Sequence, residues 1–472
     1  MKITSKRMFL RCIIVLFITA FPSFYIKAQV IALNDLLDKA NNNYPLLRQR
    51  RAEADFGIAH ERTVKGIYLP ALLLQNQTDI GTTNSISGSY FPLGIVPSVS
   101  GGNTNSSRDV LNEGNISIAY LQWEFCNFGY NNAIVNTARK QSETLQASFE
   151  AEKYLLTQQI ALTYIDLLKK YKLLQIKNED VLRAGIILTS IRANVLSGLK
   201  PGVDSSTARA SYSAARIAYL QAEEDYERDK ILLGEYSGVK IDKNAVPDTN
   251  INLSGILQHL FVLAHTDSIN IAHPLLNVLE KQYELQIAEN NSASKKYLPH
   301  IGLNATYWLR SSGISPTGTF SDNIGINPGL AMPYSRYNYL VGLSATYNIF
   351  DIKHRHDIVA ENKYKADAKQ YAIKTSASYL NSLLEQTNSA LGITSNKLIE
   401  IPIQQASAQQ AYEQQIALYK SGLNTLIDVT NAQFALLQAE TNFVITQTEL
   451  LQLLYMRASL NGASDLFLKN FK

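Results

Sequence analysis

Two stretches of the chain alternate apolar and polar residues with a period of two. Ile301, Leu303, Ala305, Tyr307 and Leu309 fall on one side, with Gly302, Asn304, Thr306, Trp308 and Arg310 on the other. Tyr339, Val341, Leu343, Ala345, Tyr347 and Ile349 alternate in the same way with Leu340, Gly342, Ser344, Thr346 and Asn348. Successive side chains of a strand point to opposite faces, so each stretch predicts a strand with one apolar and one polar face. A weaker version occurs earlier, at Leu72, Leu74, Thr78 and Ile80 and at Ala119, Leu121, Trp123 and Phe125, with Asn76 on the apolar side. Residues 81–113 and 311–336 are rich in Gly, Ser, Asn and Pro, follow neither period, and read as loops.

After each strand pair the period changes. Ile160, Leu167, Leu174, Val181, Leu188 and Val195 recur every seven residues in a segment, 131–197, without proline. Such heptads predict one helix packed lengthwise on others, about 100 Å long at 1.5 Å per residue. The turn SGLKPGVD reverses the chain, and Ala208, Tyr212, Ala215, Tyr219, Ala222 and Tyr226 mark the returning helix. The pattern recurs with Leu384, Leu391, Leu398, Tyr412 and Tyr419, the turn SGLNTLID, and Ala432, Leu436, Ala439, Phe443 and Leu450. Pro402 is expected to kink this second long helix.

These elements form a duplicated unit. YPLL at 44 matches HPLL at 273, and Tyr68-Leu69-Pro70 matches Tyr297-Leu298-Pro299, both at an offset of 229. Trp123 matches Tyr347, Ser197-Gly198-Leu199 matches Ser421-Gly422-Leu423, and Asp204 matches Asp428, all at 224. The five-residue difference falls between Pro70 and Trp123, where a loop absorbs it. Each unit opens with a short helical stretch, 44–66 or 273–296, stopped by Tyr-Leu-Pro. The expected division is a signal peptide at 1–28, a first repeat at 29–250 and a second at 251–472.

The leader rests on Lys2, Lys6, Arg7 and Arg11 around the apolar run CIIVLFITAF, ending near Ala28. At about ten residues that run is half of what a spanning helix needs. Cleavage removes five basic residues (with Lys27) and no acidic ones, so the chain's +4 becomes 39 basic against 40 acidic, or −1. A near-neutral mature chain argues against a nucleic-acid partner. Gln29 at the cleavage point offers no cysteine for acylation, and Cys126 alone survives cleavage, which excludes an internal disulfide or a thiolate cluster.

Two-faced strands with long loops on one side, aromatic residues near their ends and a secretory leader predict a transmembrane barrel. Four strands cannot close one, because an open edge leaves backbone groups unpaired in lipid and single-chain barrels begin at eight. At least two copies are therefore required. NNNYPLL, the YLP stop, strand pairs leading into long helices, and SGL-x4-D turns, all duplicated, resemble the TolC family of outer-membrane factors. The resemblance implies a mixed α and β membrane protein: a homotrimer in which four strands per chain make a 12-stranded β-barrel, continued by a periplasmic α-helical barrel of coiled-coil-like hairpins. It also implies a passive outer-membrane duct of a tripartite efflux or type I secretion system. Its partners would be a periplasmic adaptor (membrane fusion protein), an inner-membrane pump of the RND or ABC type, and outer-membrane lipid.

By the same resemblance, the turn residues Gly198, Leu199, Gly422 and Leu423 meet the adaptor, whereas the bland reading is a left-handed Gly with Leu packed beneath it. Asp204, Tyr419, Asn424, Asp428 and Asn431 take the positions of a periplasmic gate. Asn424 stands where the family has arginine and Asn431 where it has a second acidic residue, so the gate is expected to rely on hydrogen bonds and to trap cations less. For Asp204 the competing reading is a helix N-cap, and for Asp428 a solvated carboxylate. His354, His356, Asp351 and Asp357 lack ligand spacing, and Glu223, Glu224, Asp225 and Glu227 read as a solvated face. No phosphate loop, nucleophile elbow or His/Cys pair occurs, so neither an enzyme nor a cofactor is expected. A non-conducting coiled-coil spacer and an adhesin or receptor borne on the loops are the alternatives.

Overall fold

The structure is a computed structural model that describes residues 30–82, 84, 106, 107, 109, 111–199, 201–249, 273–312 and 334–469. The leader, most of both loops and the start of the second repeat lie outside the described residues. In chain order the elements are β1 (Val30–Ile31), α1 (Leu33–Asn43), α2 (Pro45–Lys65), a 3-10 turn (Gly66–Tyr68), β2 (Ala71–Thr82), β3 (Leu111–Cys126), α3 (Tyr130–Leu196) and α4 (Gly202–Ser237). They continue as β4 (Val246–Pro247), α5 (Pro274–Lys295), β5 (His300–Ser312), β6 (Arg336–Thr346), α6 (Asp351–Lys420), α7 (Leu426–Leu460) and α8 (Ser464–Leu468). The long helices fall where the heptads put them, and α6 runs through Pro402 without ending.

The chain divides into two compact units, and each draws on both halves of the sequence. One holds Arg51–Ser148 and Asn277–Lys374 and contains a four-stranded, wholly antiparallel sheet of order β2-β3-β5-β6. Its register sets Leu72, Leu121, Ala305 and Val341 in one row across all four strands. Leu74, Ala119, Tyr307 and Tyr339 form the next row on that face. The opposite face carries Gln122, Asn304 and Gly342 in register, with the Tyr120 hydroxyl donating to Asn304 at 2.9 Å and Asn304 to Ser344 at 3.0 Å.

The weaker alternation of β2 has a local remedy. Asn76 and Thr78 face Ser117 and Asn115; Ser117 and Tyr334 both donate to Asn76 Oδ1, at 2.9 and 3.0 Å. A polar group with its partners beside it is tolerated on an apolar face. The strand read through Ile349 ends instead at Thr346. Asn348 Oδ1 accepts from the Phe350 N–H at 3.2 Å, and Asn348 Nδ2 donates to Asp351 at 2.9 Å. The end of the alternating run is thus a helix entry, not ladder.

The other unit takes the segment ending at Arg50, Phe149–Leu276 and the chain from Thr375. Its main core sets Ile160, Leu167 and Leu168 of α3 against Leu33, Leu233, Leu454 and Tyr455. Full burial of each such side chain contributes about 1.5–3 kcal/mol. β1 and β4 make a two-residue parallel pair held by the buried Tyr164, whose hydroxyl donates to the Ile31 carbonyl at 2.9 Å and accepts from the Asp248 N–H at 3.2 Å. A second cluster lies toward the turns, where Leu188, Ile191, Ala208, Tyr412, Tyr419, Leu426, Val429 and Leu436 bring α3, α4, α6 and α7 together. The tyrosines and alanines of the predicted seams therefore pack between helices.

Candidate functional site at the helical turns

The two turns share one backbone design. Gly198 and Gly422 have φ of 75° and 78°, the left-handed region where glycine is favoured. Gly198 N–H bonds the Val195 carbonyl at 3.0 Å and Leu199 N–H that of Asn194 at 2.9 Å; Gly422 and Leu423 repeat this onto Tyr419 and Leu418 at 3.1 and 3.0 Å. These 5→2 and 6→1 bonds form a Schellman motif at each helix end. The motif usually tucks the residue after glycine against the helix, which was the bland reading of Leu199 and Leu423. Both are instead 73% exposed. Val203 and Ile427, four residues on in each turn, are exposed too.

The side chains then diverge. Asp204 and Asp428 are both the third residue of their helix. In the second turn Thr425 is the N-cap: Asp428 N–H donates to Thr425 Oγ1 at 3.4 Å, and Asp428 Oδ2 accepts from the Thr425 N–H at 3.0 Å and its hydroxyl at 2.6 Å. This is a capping box. Those bonds, the hydroxyl's first, hold the Asp428 carboxyl below its ordinary pKa. In the first turn the N-cap is Pro201, which makes no side-chain cap bond. The alternative N-cap reading of Asp204 is therefore corrected; the carboxylate that closes a cap is Asp428, a gate position whose alternative reading was a solvated carboxylate.

Without a box to close, Asp204 faces Tyr419 of the other hairpin. Tyr419 is 9% exposed, and burial first, then the Asp204 charge and its hydrogen bond, raise the phenol's pKa. A phenol held protonated is a standing hydrogen-bond donor. The remaining candidates lie apart from this pair. Asn424 Nδ2 donates to Gln415 Oε1 within its own hairpin, and Asn431 is exposed. Sequence reasoning passed over Thr425 and Gln415. The box was findable as T-L-I-D, a hydroxyl three residues before a carboxylate at a helix start.

Elsewhere, Asp351 accepts from Asn348, and His356 lies 3.4 Å from Asp357. Among the described residues no group of three or more His, Cys, Asp or Glu is placed to hold a metal ion. Asp225 and Glu227 pair with Arg228 and Lys230 on their own helix, at 2.7 and 2.8 Å. No described helix is long and apolar enough to cross a membrane, which says nothing of strands.

A model of the outer membrane efflux protein family matches residues 36–239. No curated protein matches the chain in sequence. Solved structures match nearly its whole length. The CmeC outer membrane channel of Campylobacter jejuni superposes with a TM-score of 0.72 at 14% identity, covering 96% of this chain and 94% of that one. The VceC outer membrane protein of Vibrio cholerae gives 0.70 at 16%, covering 92% and 96%. The open state of the MtrE outer membrane channel of Neisseria gonorrhoeae gives 0.64 at 15%, covering 92% and 89%. The fold is thus that of the TolC-type outer-membrane channels, and the resemblance read from the duplicated motifs is borne out by both comparisons. The proteins it resembles are channels rather than enzymes.

Proposed function

We propose that this chain is one protomer of a homotrimeric, passive export duct in the outer membrane, with its helical hairpins extending into the periplasm. The observation that carries the reading is the four-stranded sheet. It has one apolar face and, among the described residues, two edges, one on β2 and one on β6, that pair with no strand. Lipid does not tolerate such edges, so copies must join β6 to β2 until the barrel closes, and three copies supply twelve strands. The match to the outer membrane efflux protein family and the likeness to solved channels support it.

In this duct the Asp204–Tyr419 contact is a resting latch between the two hairpins, with Asn424, Asp428 and Asn431 as further polar groups of the gate. Gly198 and Gly422 fix the turns, and Leu199 and Leu423 offer apolar contacts to a periplasmic adaptor, which connects the duct to an inner-membrane pump of the RND or ABC class. Cargo is whatever that pump delivers: small molecules in efflux, a polypeptide in type I secretion. Expression and fractionation test this: trimers that dissociate on heating, found in outer-membrane fractions, are expected. Monomer in the soluble periplasm contradicts it. A non-conducting spacer has no use for a two-faced sheet.

A further inference from the structure

An ion pair between the two hairpins lies away from the turns. Arg183 of α3 grips Glu440 of α7 with both arms of its guanidinium, Nη1 to Oε1 at 2.9 Å and Nη2 to Oε2 at 2.7 Å, the side chains being 18% and 12% exposed. One helical turn earlier, the buried Asp180 accepts from the buried Gln433 at 2.8 Å, and its carboxylate lies 3.9 Å from Arg183 Nε. The buried Tyr412 of α6 feels the charges of Arg183, Asp180 and Glu440. Three helices from both hairpins thus meet at one ionic knot.

We infer that the Arg183–Glu440 fork, with Asp180 and Gln433, is a positioning brace for the gate: it fixes α7 on α3 and thereby sets where Tyr419 rests against Asp204. The inference rests on the duct reading. Its first support is geometric. Apolar burial is non-directional, whereas a bidentate fork adds a directional restraint on both the axial offset and the rotation of the two packed helices. Its second support is position. Arg183 stands thirteen residues before the end of α3 and Glu440 fourteen after the start of α7, so the brace lies about 20 Å from each turn along its helix. Between brace and turns is the apolar cluster that contains Tyr419 itself. A shift of α7 at the brace is therefore transmitted through packed side chains to the latch. Its third support is contrast: the ion pair within the second hairpin, Lys397 of α6 with Glu449 of α7, is 3.4 Å long with side chains 48% and 38% exposed, too loose and wet to set a register.

The test uses full-length protein in planar bilayers, with the resting conductance and the thermal midpoint recorded for each variant. Glu440→Gln keeps the shape of the side chain and removes its charge; a several-fold rise in resting conductance from trimers that still melt cooperatively is expected. Exchange of the two charges, Arg183→Glu with Glu440→Arg, is expected to restore a low resting conductance, which a merely stabilising contact would not require. Lys397→Gln is expected to change nothing. In an Asp204→Ala/Tyr419→Phe background, Glu440→Gln is expected to add little, because the latch it positions is already gone. Unchanged conductance in Glu440→Gln, or a full additional rise in the latch-free background, overturns the brace while leaving the duct intact. Absence of conductance in every form, wild type and latch-free alike, overturns the duct reading itself.

Discussion

Asp204 and Asp428 hold the same position in equivalent helices yet engage different partners: Asp428 closes a capping box on Thr425, while Asp204 reaches Tyr419 of the neighbouring hairpin. The cause is one residue. Thr425 offers a hydroxyl and an N–H to its carboxylate, whereas Pro201 has neither. The first turn is thereby left with a carboxylate to spend on a contact between hairpins.

That relation predicts opposite effects from opposite exchanges. Pro201→Thr offers Asp204 a box of its own and draws it from Tyr419, so resting conductance should rise. Thr425→Ala removes an N-cap and should lower unfolding free energy by about 1 kcal/mol, measured by denaturant titration, with little change in conductance. Equal conductance effects from the two would contradict the asymmetry.

Loss of the latch should be readable directly. Tyr419→Phe and Asp204→Ala should each raise resting conductance, and the double variant should rise little further because both remove one contact. Burial and Asp204 raise the Tyr419 pKa from 10.0. The native phenol therefore keeps its proton while an unfolded one begins to lose it, and the contact's stabilisation is retained below pH 10 and lost as pH climbs through the raised native value. Wild-type conductance should be flat across neutral pH and increase only in alkali.

Acid should act elsewhere, at His273. Its ring is 1% exposed: Nδ1 accepts the Leu275 N–H at 3.3 Å, and Nε2 meets the Tyr154 hydroxyl at 3.1 Å, which also accepts from Ser459 at 2.8 Å. Burial lowers the His273 pKa from 6.5. Below that value the unfolded chain takes up a proton that the native chain resists, so stability falls with pH by up to about 1.4 kcal/mol per unit until the native pKa is passed. Melting curves between neutral pH and pH 5 should show a shallower pH dependence for His273→Gln. Parallel slopes would show that this ring does not titrate on unfolding.

The two sheet faces predict unequal tolerance. Val341 lies on the apolar face at mid-strand, and its neighbour Gly342 on the polar face has open space beyond its α-carbon. Val341→Arg should cost about 2–4 kcal/mol in a bilayer, seen as lost trimer or lower heat stability, while Gly342→Arg should be tolerated. The reverse result would invert the barrel.

At the tips, Leu199→Glu with Leu423→Glu should abolish copurification of a periplasmic adaptor without disturbing trimers or conductance, since both side chains are 73% exposed and support no core. Retained adaptor binding would remove the turns from that interface.

Much of this architecture was legible because it is periodic. The heptad from Ile160 to Val195 located α3, and the 224-residue offset recurred in Asp204 and Asp428, each the third residue of its helix. What escaped was aperiodic or distant. The two-residue strands β1 and β4 have no period to detect. Tyr347 and Ile349 continued the alternation into a turn that Asn348 diverts to a helix. The exposure of Leu199 was hidden because glycine turns usually bury the next residue. Arg183 and Glu440 are 257 residues apart, and nothing local marks either as a partner. The gate pair was placed by resemblance, and its asymmetry emerged only from the caps.

The most direct test of the duct is the conductance of purified, full-length protein in planar lipid bilayers. Stepwise insertion of identical low-conductance events is predicted, rising to larger steps in the Asp204→Ala/Tyr419→Phe variant. Intact trimers of that variant that insert into lipid and pass no current would contradict it.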